Sequence, residues 1–433
     1  MTPTGLTTTR IVRPPKRLRG EICVPGDKSI THRAALLGAI GSQTSRFRRP
    51  GVGADTSATL NLVRGLGVAC ELNSNELLVH GNGFDRLEKP TDVLDCANSA
   101  TTMRLAAGLL VGRPFRSVLT GDASLRNRPM DRVIAPLQAM GANIHGHGGD
   151  TVAPLTIGPS TLRGITYESP IPSAQVKSAL LMAALQSEGA TMIRQTSSSR
   201  DHTERMLQSQ GARISIDGLD IRCESGTDLA PLDFDIPGDL SSASYWLVAA
   251  ALHPDAEIMV RNVGLNPTRT GILDVLRNMG ANLAVDIECK EPEPSGTVTV
   301  RSSKLVGTRI DGALIPRLID EAPLVALLGS NADLETQVGD ASELSIKESN
   351  RIAVTQQSLK TLGANIEAQP DGWVVIGTGG TRGGEVDATG DHRMAMLLAV
   401  AGITGTGPVT IHGAGAVNIS YPSFWDDLDK LST

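Results

Sequence analysis

The chain has 433 residues, of which 40% are hydrophobic and 20% charged, and its formal net charge is −6. This length exceeds one ordinary core, so we expect a globular protein of two or three domains. The acidic balance and the 3% aromatic content argue against nucleic acid as a partner, because nucleic-acid binders usually present a basic face and stacking rings. We therefore expect any bound anion to be small and held by local clusters of cations.

The sequence indicates a cytoplasmic protein without a membrane partner. No apolar segment of a secretory signal follows the basic N-terminal stretch, and no apolar run approaches the roughly 18 residues that span a bilayer. The five cysteines show no C-x-x-C spacing, and we expect them to be reduced and buried. They are Cys23, Cys70, Cys96, Cys223 and Cys289.

The first predicted helix begins within "VPGDKSITHRAALLGAI", residues 24–40. Lys28, Ser29 and Arg33 stand at the start of this apolar run with helical spacing. A Lys-Ser pair at a helix start suggests a phosphate site, although Asp27 occupies the place of a P-loop glycine and excludes that motif. The alternative is a surface lysine beside an ordinary helix cap.

This polar turn with its apolar helix occurs six times, and internal repetition is the strongest structural signal in the sequence. The copies begin near residues 25, 95, 171, 236, 318 and 389. Their helices are apolar nearly all round and are predicted to be buried, whereas their polar N-termini must open somewhere. We expect charged side chains rather than generic caps at these starts, which favours an anion site over a passive repeat scaffold.

A second repeated motif is a helix that ends at a glycine and is followed by a short strand. The glycines of five copies are Gly67, Gly141, Gly211, Gly280 and Gly363. A sixth copy begins at "FWDDLDKLST". Six units predict two pseudo-symmetric α/β halves. Because "PGD" occurs twice, we place the crossings there, with one lobe at 26–237 and the other at 1–25 with 238–433.

Charged side chains also gather in the turns between the repeats. They are Arg126 and Arg128 in "LRNRPMD", Arg200 in "SRDHTE", and Lys347, Glu348 and Arg351 in "SIKESNR". Glu348 and Arg351 are three residues apart, so an ion pair on a solvated helix face is the alternative to a functional role. His145 and His147 lie in "HGHGGD" without a recognisable third ligand, so we expect a glycine loop and no metal.

Eight stretches, taken in order, resemble the motifs of the EPSP synthase family over essentially the whole chain. They are "PGDKSITHRAALLGA", "NSATTMRL", "RNRPMDR", "PSAQVKSALLMAAL", "SRDHTE", "IDEAPL", "IKESNRI" and "DHRMAM". The resemblance implies a two-lobed α/β enolpyruvyltransferase fold. Each lobe then has three βαβαββ units with buried helices and outer sheets, an inside-out α/β barrel.

The resemblance also implies the activity of a 3-phosphoshikimate 1-carboxyvinyltransferase. Such enzymes transfer the enolpyruvyl group of phosphoenolpyruvate to the 5-hydroxyl of shikimate 3-phosphate and release phosphate, on the shikimate pathway to chorismate and the aromatic amino acids. They use no metal and no organic cofactor. We expect a cytoplasmic monomer that binds these two substrates and neither nucleic acid nor membrane.

The family's site residues carry over to this chain by resemblance. Both substrates contact Lys28 and Gln175. The shikimate 3-phosphate site adds Ser29, Arg33, Ser173, Ala174, Arg200, Asp320 and Lys347. The phosphoenolpyruvate site adds Ala100, Arg128, Arg351 and Arg393. Arginine suits bidentate contacts with carboxylate and phosphate, and because the residues fall in both predicted lobes we expect the lobes to close around the substrates.

The chemistry requires a proton for the methylene carbon of phosphoenolpyruvate and a base for the attacking hydroxyl. Asp320 is the candidate base, and Lys28 and Glu348 are the candidate proton donors. A carboxyl group near several cations is pushed towards its charged form, so Glu348 needs desolvation in order to donate. The sequence leaves the choice of donor open.

Three positions depart from the family pattern. Ala100 replaces a common glycine, Ile419 stands where many members have a lysine of the phosphoenolpyruvate site, and Asn350 replaces a frequent aspartate. What replaces the missing lysine stays open. The methyl group of Ala100 is expected to obstruct glyphosate, a family inhibitor longer than phosphoenolpyruvate, so we expect glyphosate tolerance.

Two alternatives are disfavoured. The UDP-N-acetylglucosamine enolpyruvyltransferase family shares the fold and the donor, but its members usually carry a cysteine in the loop before "RP", and "TGDASLRNRPMD" contains none. Its lysine is also typically followed by asparagine, whereas Ser29 follows Lys28. A non-catalytic anion-binding repeat protein is disfavoured by the joint presence of Lys28, Asp320 and Glu348.

Overall fold

The computed structural model describes residues 8–432. The chain divides into two compact units. Gly26–Ile236 forms one, here called the continuous unit, and the chain up to Pro25 together with the chain from Pro237 onward forms the other, the discontinuous unit. Each unit has its own hydrophobic core. The assignment of different functional roles to the two units stays a prediction.

The strands between residues 8 and 432 are mostly three to six residues long. They are β1 (Arg10–Val12), β2 (Leu18–Ile22), β3 (Thr44–Arg48), β4 (Cys70–Leu72), β5 (Glu76–His80), β6 (Leu94–Asp95), β7 (Ser117–Thr120), β8 (Ile144–Gly146), β9 (Val152–Ile157), β10 (Thr166–Ser169), β11 (Ala190–Gln195), β12 (Arg213–Asp217), β13 (Asp220–Glu224), β14 (Asp233–Asp235), β15 (Ala256–Gly264), β16 (Asn282–Cys289), β17 (Ser295–Arg301), β18 (Arg309–Ile310), β19 (Glu335–Val338), β20 (Asn365–Gln369), β21 (Gly372–Ile376), β22 (Gly384–Asp387) and β23 (Val409–His412).

The helices alternate with these strands. They are α1 (Lys28–Ile40), α2 (Ala54–Gly65), α3 (Ala100–Leu110), α4 (Asp131–Ala139), α5 (His147–Asp150), α6 (Ala174–Ala184), α7 (His202–Ser209), α8 (Leu240–Leu252), α9 (Gly271–Asn278), α10 (Ile315–Leu318), α11 (Ala322–Asn331), α12 (Arg351–Thr361), α13 (His392–Thr404) and α14 (Phe424–Leu431). Short 3₁₀ segments lie at Phe84–Arg86, Leu125–Asn127, Gly312–Leu314, Ser342–Ile346 and Ala414–Ile419.

The strands of the described chain form six sheets, three in each unit. In the sheet β6-β7-β9-β8, β6 and β7 are parallel and the remaining pairs are antiparallel. Apart from the short α5 between β8 and β9, its chain order β6-α3-β7-α4-β8-β9 is a βαβαββ repeat, and the strands β10 to β13 and β18 to β21 with their helices follow the same pattern. The predicted α/β fold with three repeats in each lobe is confirmed, although the last repeat has only the three-stranded sheet β1-β23-β22.

Three repeats take a strand from a distant part of the chain. β14 pairs in parallel with β3 and completes the first repeat of the continuous unit. In the discontinuous unit, β2 pairs in parallel with β15, and β1 pairs antiparallel with β23. The predicted sixth helix exists as α14, but β1 from the other end of the chain occupies the strand position in its repeat. Sequence periodicity did not predict these exchanges, because they join segments that are far apart in sequence.

The first helix of each repeat lies in the core, as the sequence predicted. These helices are α1, α3, α6, α8, α11 and α13. In α8 every residue before Leu252 is buried, and in α13 every residue before Thr404 is buried. Polar side chains are therefore largely confined to the helix starts, because the bodies of the helices contact other apolar side chains on all sides.

The predicted glycine turns are confirmed. Gly67, Gly141, Gly211, Gly280 and Gly363 have φ values between +76° and +91°. This left-handed conformation ends a helix at little steric cost only when the residue lacks a Cβ atom.

The expectation that the core helices start without generic caps is wrong. The side chains of five N-cap residues accept a hydrogen bond from a backbone N–H of the first turn: Asp27, Ser99, Ser173, Asp239 and Asp391. Only α11, preceded by Glu321, has no such side-chain bond among the six described core helices. A buried helix end needs partners for its N–H groups, so most of the functional side chains stand beside the caps, while Ser173 is itself a cap.

Two further features concern cysteines and hydropathy. Cys96 and Cys223 are buried, but Cys23 and Cys289 are exposed, so the expectation that all five cysteines are buried is wrong. Cys23 directly follows β2 and Cys289 is the last residue of β16, and the spacing of the cysteines does not predict their exposure.

Between residues 8 and 432, no helix combines the length and the apolar character that crossing a bilayer requires.

The close contact between α3 and α6 yields a test of the packing. A Cβ atom at Gly108 would lie 2.1 Å from the carbonyl oxygen of Ala179. We expect Gly108→Ala to lower the free energy of unfolding by roughly 1–3 kcal/mol, because two helix backbones must separate to admit the methyl group. Urea denaturation of the purified variant measures this loss.

Gly339→Ala is the matched control, because the nearest atom to its Cβ would be 3.9 Å away. Equal stability of the two variants would show that α3 and α6 can separate without cost.

Candidate active site

The predicted phosphate-binding lysine pairs with a carboxylate. Lys28 is the first residue of α1, directly after the cap Asp27. Its Nζ lies 2.9 Å from Oδ2 of Asp55 in the first turn of α2, and the Lys28 side chain is 21% exposed. Asp55 was missed by sequence reasoning, since an acidic residue in a first helical turn is common for reasons of the helix dipole alone. The pair holds the ammonium group in place while leaving it accessible.

His32, one turn into α1, is excluded as an acid. Its Nδ1 lies 2.6 Å from Oγ1 of Thr59, and that hydroxyl lies 2.6 Å from Oγ1 of Thr102. Burial lowers the pKa of His32 to about 3, so the imidazole is neutral at physiological pH. It contributes a hydrogen bond that joins α1, α2 and α3.

Arg33 is buried between three helices. Its Nε donates to Oγ1 of Thr203 on α7 at 2.7 Å, and its Nη2 donates to Oγ of Ser178 on α6 at 2.9 Å. Nη1 donates to the carbonyl oxygen of Ser29 at 3.0 Å. The structure thus brings together Arg33 and Ser29, which were predicted to belong to one site. Hydrogen bonds to α6 and α7 fix the orientation of the guanidinium group.

Gln175 links the starts of α3 and α6. Its Oε1 accepts from Nη1 of Arg104 at 2.6 Å, and its Nε2 donates to Oγ1 of Thr101 at 2.9 Å. Ser173, which caps α6, lies two residues before Gln175. Nη2 of Arg104 also donates to the carbonyl oxygen of Pro129 at 2.7 Å, which fixes the turn that carries Arg128.

Arg128 is oriented by the loop before α3. Its Nη2 donates to Oδ1 of Asn98 at 2.8 Å, and Nδ2 of Asn98 donates to Oδ2 of Asp122 at 2.7 Å. Ala100 is the first residue of α3, after the cap Ser99, and is buried. Arg128 and Ala100 therefore belong to one local arrangement, whereas Arg200 lies in the turn before α7.

We call the following residues of the continuous unit the cationic cluster: Lys28, Ser29, Arg33, Ala100, Arg104, Arg128, Ser173, Gln175 and Arg200. Hydrogen bonds from its members Arg33 and Gln175 join the first two turns of α1, α3 and α6. Ala174 follows the cap of α6 directly. The cluster presents ammonium and guanidinium groups, which bind carboxylate and phosphate through charge-assisted hydrogen bonds.

The predicted base lies among three cations of the discontinuous unit. Oδ1 of Asp320 lies 3.8 Å from Nζ of Lys347 and 3.4 Å from Nη1 of Arg351. Oδ2 of Asp320 lies 3.5 Å from Nη2 of Arg393. Opposite charges favour the ionised carboxylate, the form that can accept a proton. Asp320, Lys347, Glu348, Arg351, Asp391 and Arg393 are here called the carboxylate cluster.

Arg351 organises the carboxylate cluster from a fully buried position. Its Nε donates to Oδ2 of Asp391 at 2.8 Å, and its Nη2 donates to Oε2 of Glu348 at 2.7 Å. Burial alone would lower the pKa of Arg351, but these carboxylates hold it above its ordinary value. Burial likewise opposes the charge of Asp391, yet Arg351 holds the pKa of Asp391 below its ordinary value. Both groups are therefore charged at physiological pH.

The Glu348–Arg351 pair exists, but not on a solvated helix face. The Arg351 side chain is 1% exposed, and Glu348 precedes α12 instead of lying on it. The alternative interpretation as a surface pair is wrong for this reason. Asp391 was not predicted as a partner, because its motif position indicated only a helix start; it both caps α13 and binds Arg351.

The structure explains one departure from the family pattern and locates another. Asn350 caps α12, and its Oδ1 accepts from the backbone N–H of Ala353 at 3.2 Å, which is the role an aspartate would also fill. Ile419 is partly buried against the core of the discontinuous unit, at the end of the segment Ala414–Ile419. An apolar side chain thus occupies the position at which the resemblance led us to look for a lysine.

The histidine tract takes no part in either cluster. His145 lies in β8, and its Nδ1 is 3.5 Å from Oδ2 of Asp150. Gly148 and Gly149 adopt left-handed backbone angles in the turn that follows. In the described part of the chain, no three His, Cys, Asp or Glu side chains are grouped so that they could hold a metal ion.

Comparison with known proteins gives a consistent result. The model of a family described as EPSP synthase (3-phosphoshikimate 1-carboxyvinyltransferase) matches residues 12–428. The 3-phosphoshikimate 1-carboxyvinyltransferase of Roseiflexus castenholzii is 50% identical, with 96% of this chain and 98% of the relative covered. That of Bacillus subtilis is 45% identical, with 96% and 97% covered.

Solved structures extend the comparison to the fold. The EPSP synthase from Acinetobacter baumannii superposes with a TM-score of 0.88 at 37% identity, covering 98% of each chain. The enolpyruvyl transferase NikO from Streptomyces tendae superposes with a TM-score of 0.79, and at 18% identity this likeness concerns the fold alone. Since the family model and the curated relatives agree over nearly the full length, the chain belongs to the EPSP synthase family.

Proposed function

We propose that the cationic cluster, together with Lys347, Arg351 and Arg393, holds the anionic groups of both substrates. Asp320 and Glu348 of the carboxylate cluster supply the acid–base chemistry together with Lys28. As an EPSP synthase, the chain transfers the enolpyruvyl group of phosphoenolpyruvate to the 5-hydroxyl of shikimate 3-phosphate and releases phosphate. The observation that carries the proposed roles is the placement of charged side chains at the starts of otherwise apolar helices. Each cluster has the residue types that one part of the reaction needs.

Both substrates are small and multiply charged, so binding depends on cations. Lys28, at 21% exposure, and Arg128 are assigned to phosphoenolpyruvate, and Arg351 and Arg393 are assigned to the same substrate. Phosphoenolpyruvate further contacts Ala100 and Gln175. The residues assigned to shikimate 3-phosphate are Lys28, Ser29, Arg33, Ser173, Ala174, Gln175, Arg200, Asp320 and Lys347. Internal partners such as Asp55 and Asn98 orient the cations before substrate arrives, which reduces the entropy lost on binding.

The addition step needs a base and a proton donor. Ionised Asp320 accepts the proton of the 5-hydroxyl as its oxygen adds to C2 of phosphoenolpyruvate, and C3 is protonated to a methyl group. We assign this proton to Lys28, because Glu348 accepts a hydrogen bond from Arg351 at 2.7 Å and is thereby favoured in its ionised form. The product of the step is a tetrahedral intermediate that still carries the phosphate group.

The elimination step removes a proton from C3, to which the addition step had added one. Phosphate leaves C2 as a proton is removed from the methyl group, which restores the carbon–carbon double bond. An ionised carboxylate suits this removal, so we assign it to Glu348. The cations around Asp320 stabilise the negative charge that develops on the departing phosphate.

Phosphate release in the presence and absence of shikimate 3-phosphate tests the proposed function. We expect release from phosphoenolpyruvate only when shikimate 3-phosphate is present. Equal release without this acceptor, or turnover that needs a different acceptor, would contradict the assignment.

We further propose that the enzyme works as a cytoplasmic monomer without nucleic-acid or membrane partners. The five cysteines form no disulfide in the described chain, which suits a reducing compartment. Each unit also has its own core. Light scattering after gel filtration should give a mass near 45.4 kDa, and a mass of twice that value would contradict the monomer.

The role of Lys28 is tested by Lys28→Met. Loss of the ammonium group removes charge-assisted hydrogen bonds to both substrates, so we expect kcat/KM to fall by at least about 10²-fold while the melting temperature changes little. The same substitution at the exposed Lys360, which pairs with Glu367, is the matched control. Retention of most of the activity by Lys28→Met would leave Lys28 as a mere neighbour of the helix cap.

The roles of the carboxylates are tested by Asp320→Asn and Glu348→Gln, which preserve shape. We expect kcat to fall by about 10²–10⁴-fold for each, because general acid–base help contributes that much. Calorimetric binding of shikimate 3-phosphate should weaken far less. Glu335→Gln, at an exposed position, is the control, and parallel losses of binding and kcat would indicate a structural role.

The methyl group of Ala100 is tested with glyphosate. Ala100 is buried at the start of α3, and forcing the longer inhibitor against it should cost about 1–3 kcal/mol, or about 5- to 150-fold in affinity. We expect a tolerant enzyme in which Ala100→Gly lowers the ratio of the glyphosate inhibition constant to the KM for phosphoenolpyruvate. This ratio isolates the methyl group from any general weakening caused by Ile419. An unchanged ratio would defeat the steric explanation.

A further inference from the structure

A second charged pair lies near the cationic cluster, and the proposed mechanism does not use it. Nζ of Lys177 on α6 is 2.6 Å from Oε1 of Glu204 on α7, and the two side chains are 3% and 1% exposed. Oε2 of Glu204 makes no hydrogen bond to any residue of the described chain. Burial raises the pKa of Glu204, although Lys177 opposes this rise. The pair is thus costly to bury and incompletely satisfied.

Stability alone does not account for such a pair. Taking two charges out of water costs more than their attraction commonly returns, and well-packed apolar side chains of similar volume usually stabilise a fold at least as well. Each helix already has apolar contacts, since α6 lies in the core and Leu207 of α7 is buried. We therefore look for a role of the pair that depends on the directional contacts of its charged groups rather than on burial of their surface.

The contacts of Lys177 supply this role. Besides Glu204, its Nζ donates to the carbonyl oxygen of Ser199 at 3.2 Å. Ser199 directly precedes Arg200, and Glu204 lies four residues after it. One ammonium group on α6 therefore fixes both sides of the turn that carries Arg200.

The neighbouring residues on both helices hold Arg33. Ser178 follows Lys177 and Thr203 precedes Glu204, and their hydroxyl oxygens are 2.7 Å apart. Both accept from the guanidinium group of Arg33, at 2.9 Å and 2.7 Å respectively. The alignment of α6 with α7 thus also sets the position of Arg33.

We infer that the buried Lys177–Glu204 pair is a positioning element for the phosphate-binding side of the shikimate 3-phosphate site. It acts through Arg33 and Arg200 and touches neither substrate. This inference rests on the proposed function, in which both arginines contact shikimate 3-phosphate. A directional pair suits this task, because an apolar contact would allow α7 to slide along α6, and a displacement of about 1 Å can cost 10²-fold in catalytic efficiency.

The test replaces both charges at once with Lys177→Met and Glu204→Leu. Single substitutions would leave one buried charge without its counter-ion and strongly destabilise the protein, whereas the double variant should melt within a few degrees of the unmodified enzyme. We expect its KM for shikimate 3-phosphate to rise about tenfold or more, with the KM for phosphoenolpyruvate changed by less than about twofold.

The matched control is Lys360→Met with Glu367→Leu, the same chemical change at an exposed pair. It should alter neither KM. If the double variant at Lys177 and Glu204 keeps its KM for shikimate 3-phosphate, the inference is overturned and the proposed function stands. Equal rises of both KM values together with a large fall in melting temperature would also overturn it, in favour of a general structural role. An unmodified enzyme whose phosphate release ignores shikimate 3-phosphate would instead refute the proposed function.

Discussion

The burial of six core helices nearly all round is the constraint on which the rest of the structure depends. A helix that is apolar on every face can lie inside a layer of sheets, but its backbone still has unsatisfied N–H groups at its start. The sequence satisfies them with caps such as Asp27 and Ser173. Charged side chains in these helices are then largely confined to the first two turns, and so the chemistry of each unit gathers near the helix starts. Hydrogen bonds that join the starts directly, such as that between Gln175 and Thr101, are the consequence.

Charge compensation within each unit follows from the same constraint. Guanidinium and ammonium groups near a core are expensive to leave unpaired, and each has an internal partner. Lys28 has Asp55, Arg128 has Asn98, and Arg351 has Asp391. These partners orient the cations before substrate binds. We therefore attribute much of the substrate-binding strength to preorganisation rather than to the number of charges.

The sequence predicts much of this fold because its repeats are local. Apolar runs and left-handed glycines such as Gly141 are recognisable within about ten residues, and the structure confirms them. The pairing of β1 with β23 and of β14 with β3 was not predictable, because sequence periodicity does not indicate which distant strand a short strand will pair with. The charged motifs were recognised, but their counter-ions Asp55 and Glu204 were not, because an acidic residue in a first helical turn is ordinary. The prediction that these helix starts lack ordinary caps was wrong, since a helix start can accommodate a cap residue and a functional residue together.

The most direct measurement for the central claim is a crystal structure of Asp320→Asn with both shikimate 3-phosphate and phosphoenolpyruvate bound, in which slow turnover preserves the substrates. We expect phosphate or carboxylate oxygens within about 2.7–3.2 Å of Lys28 Nζ and of the guanidinium groups of Arg128 and Arg200. We also expect the 5-hydroxyl within the same distance of residue 320. Substrates bound away from the helix starts, without contacts to these side chains, would refute the proposed binding roles.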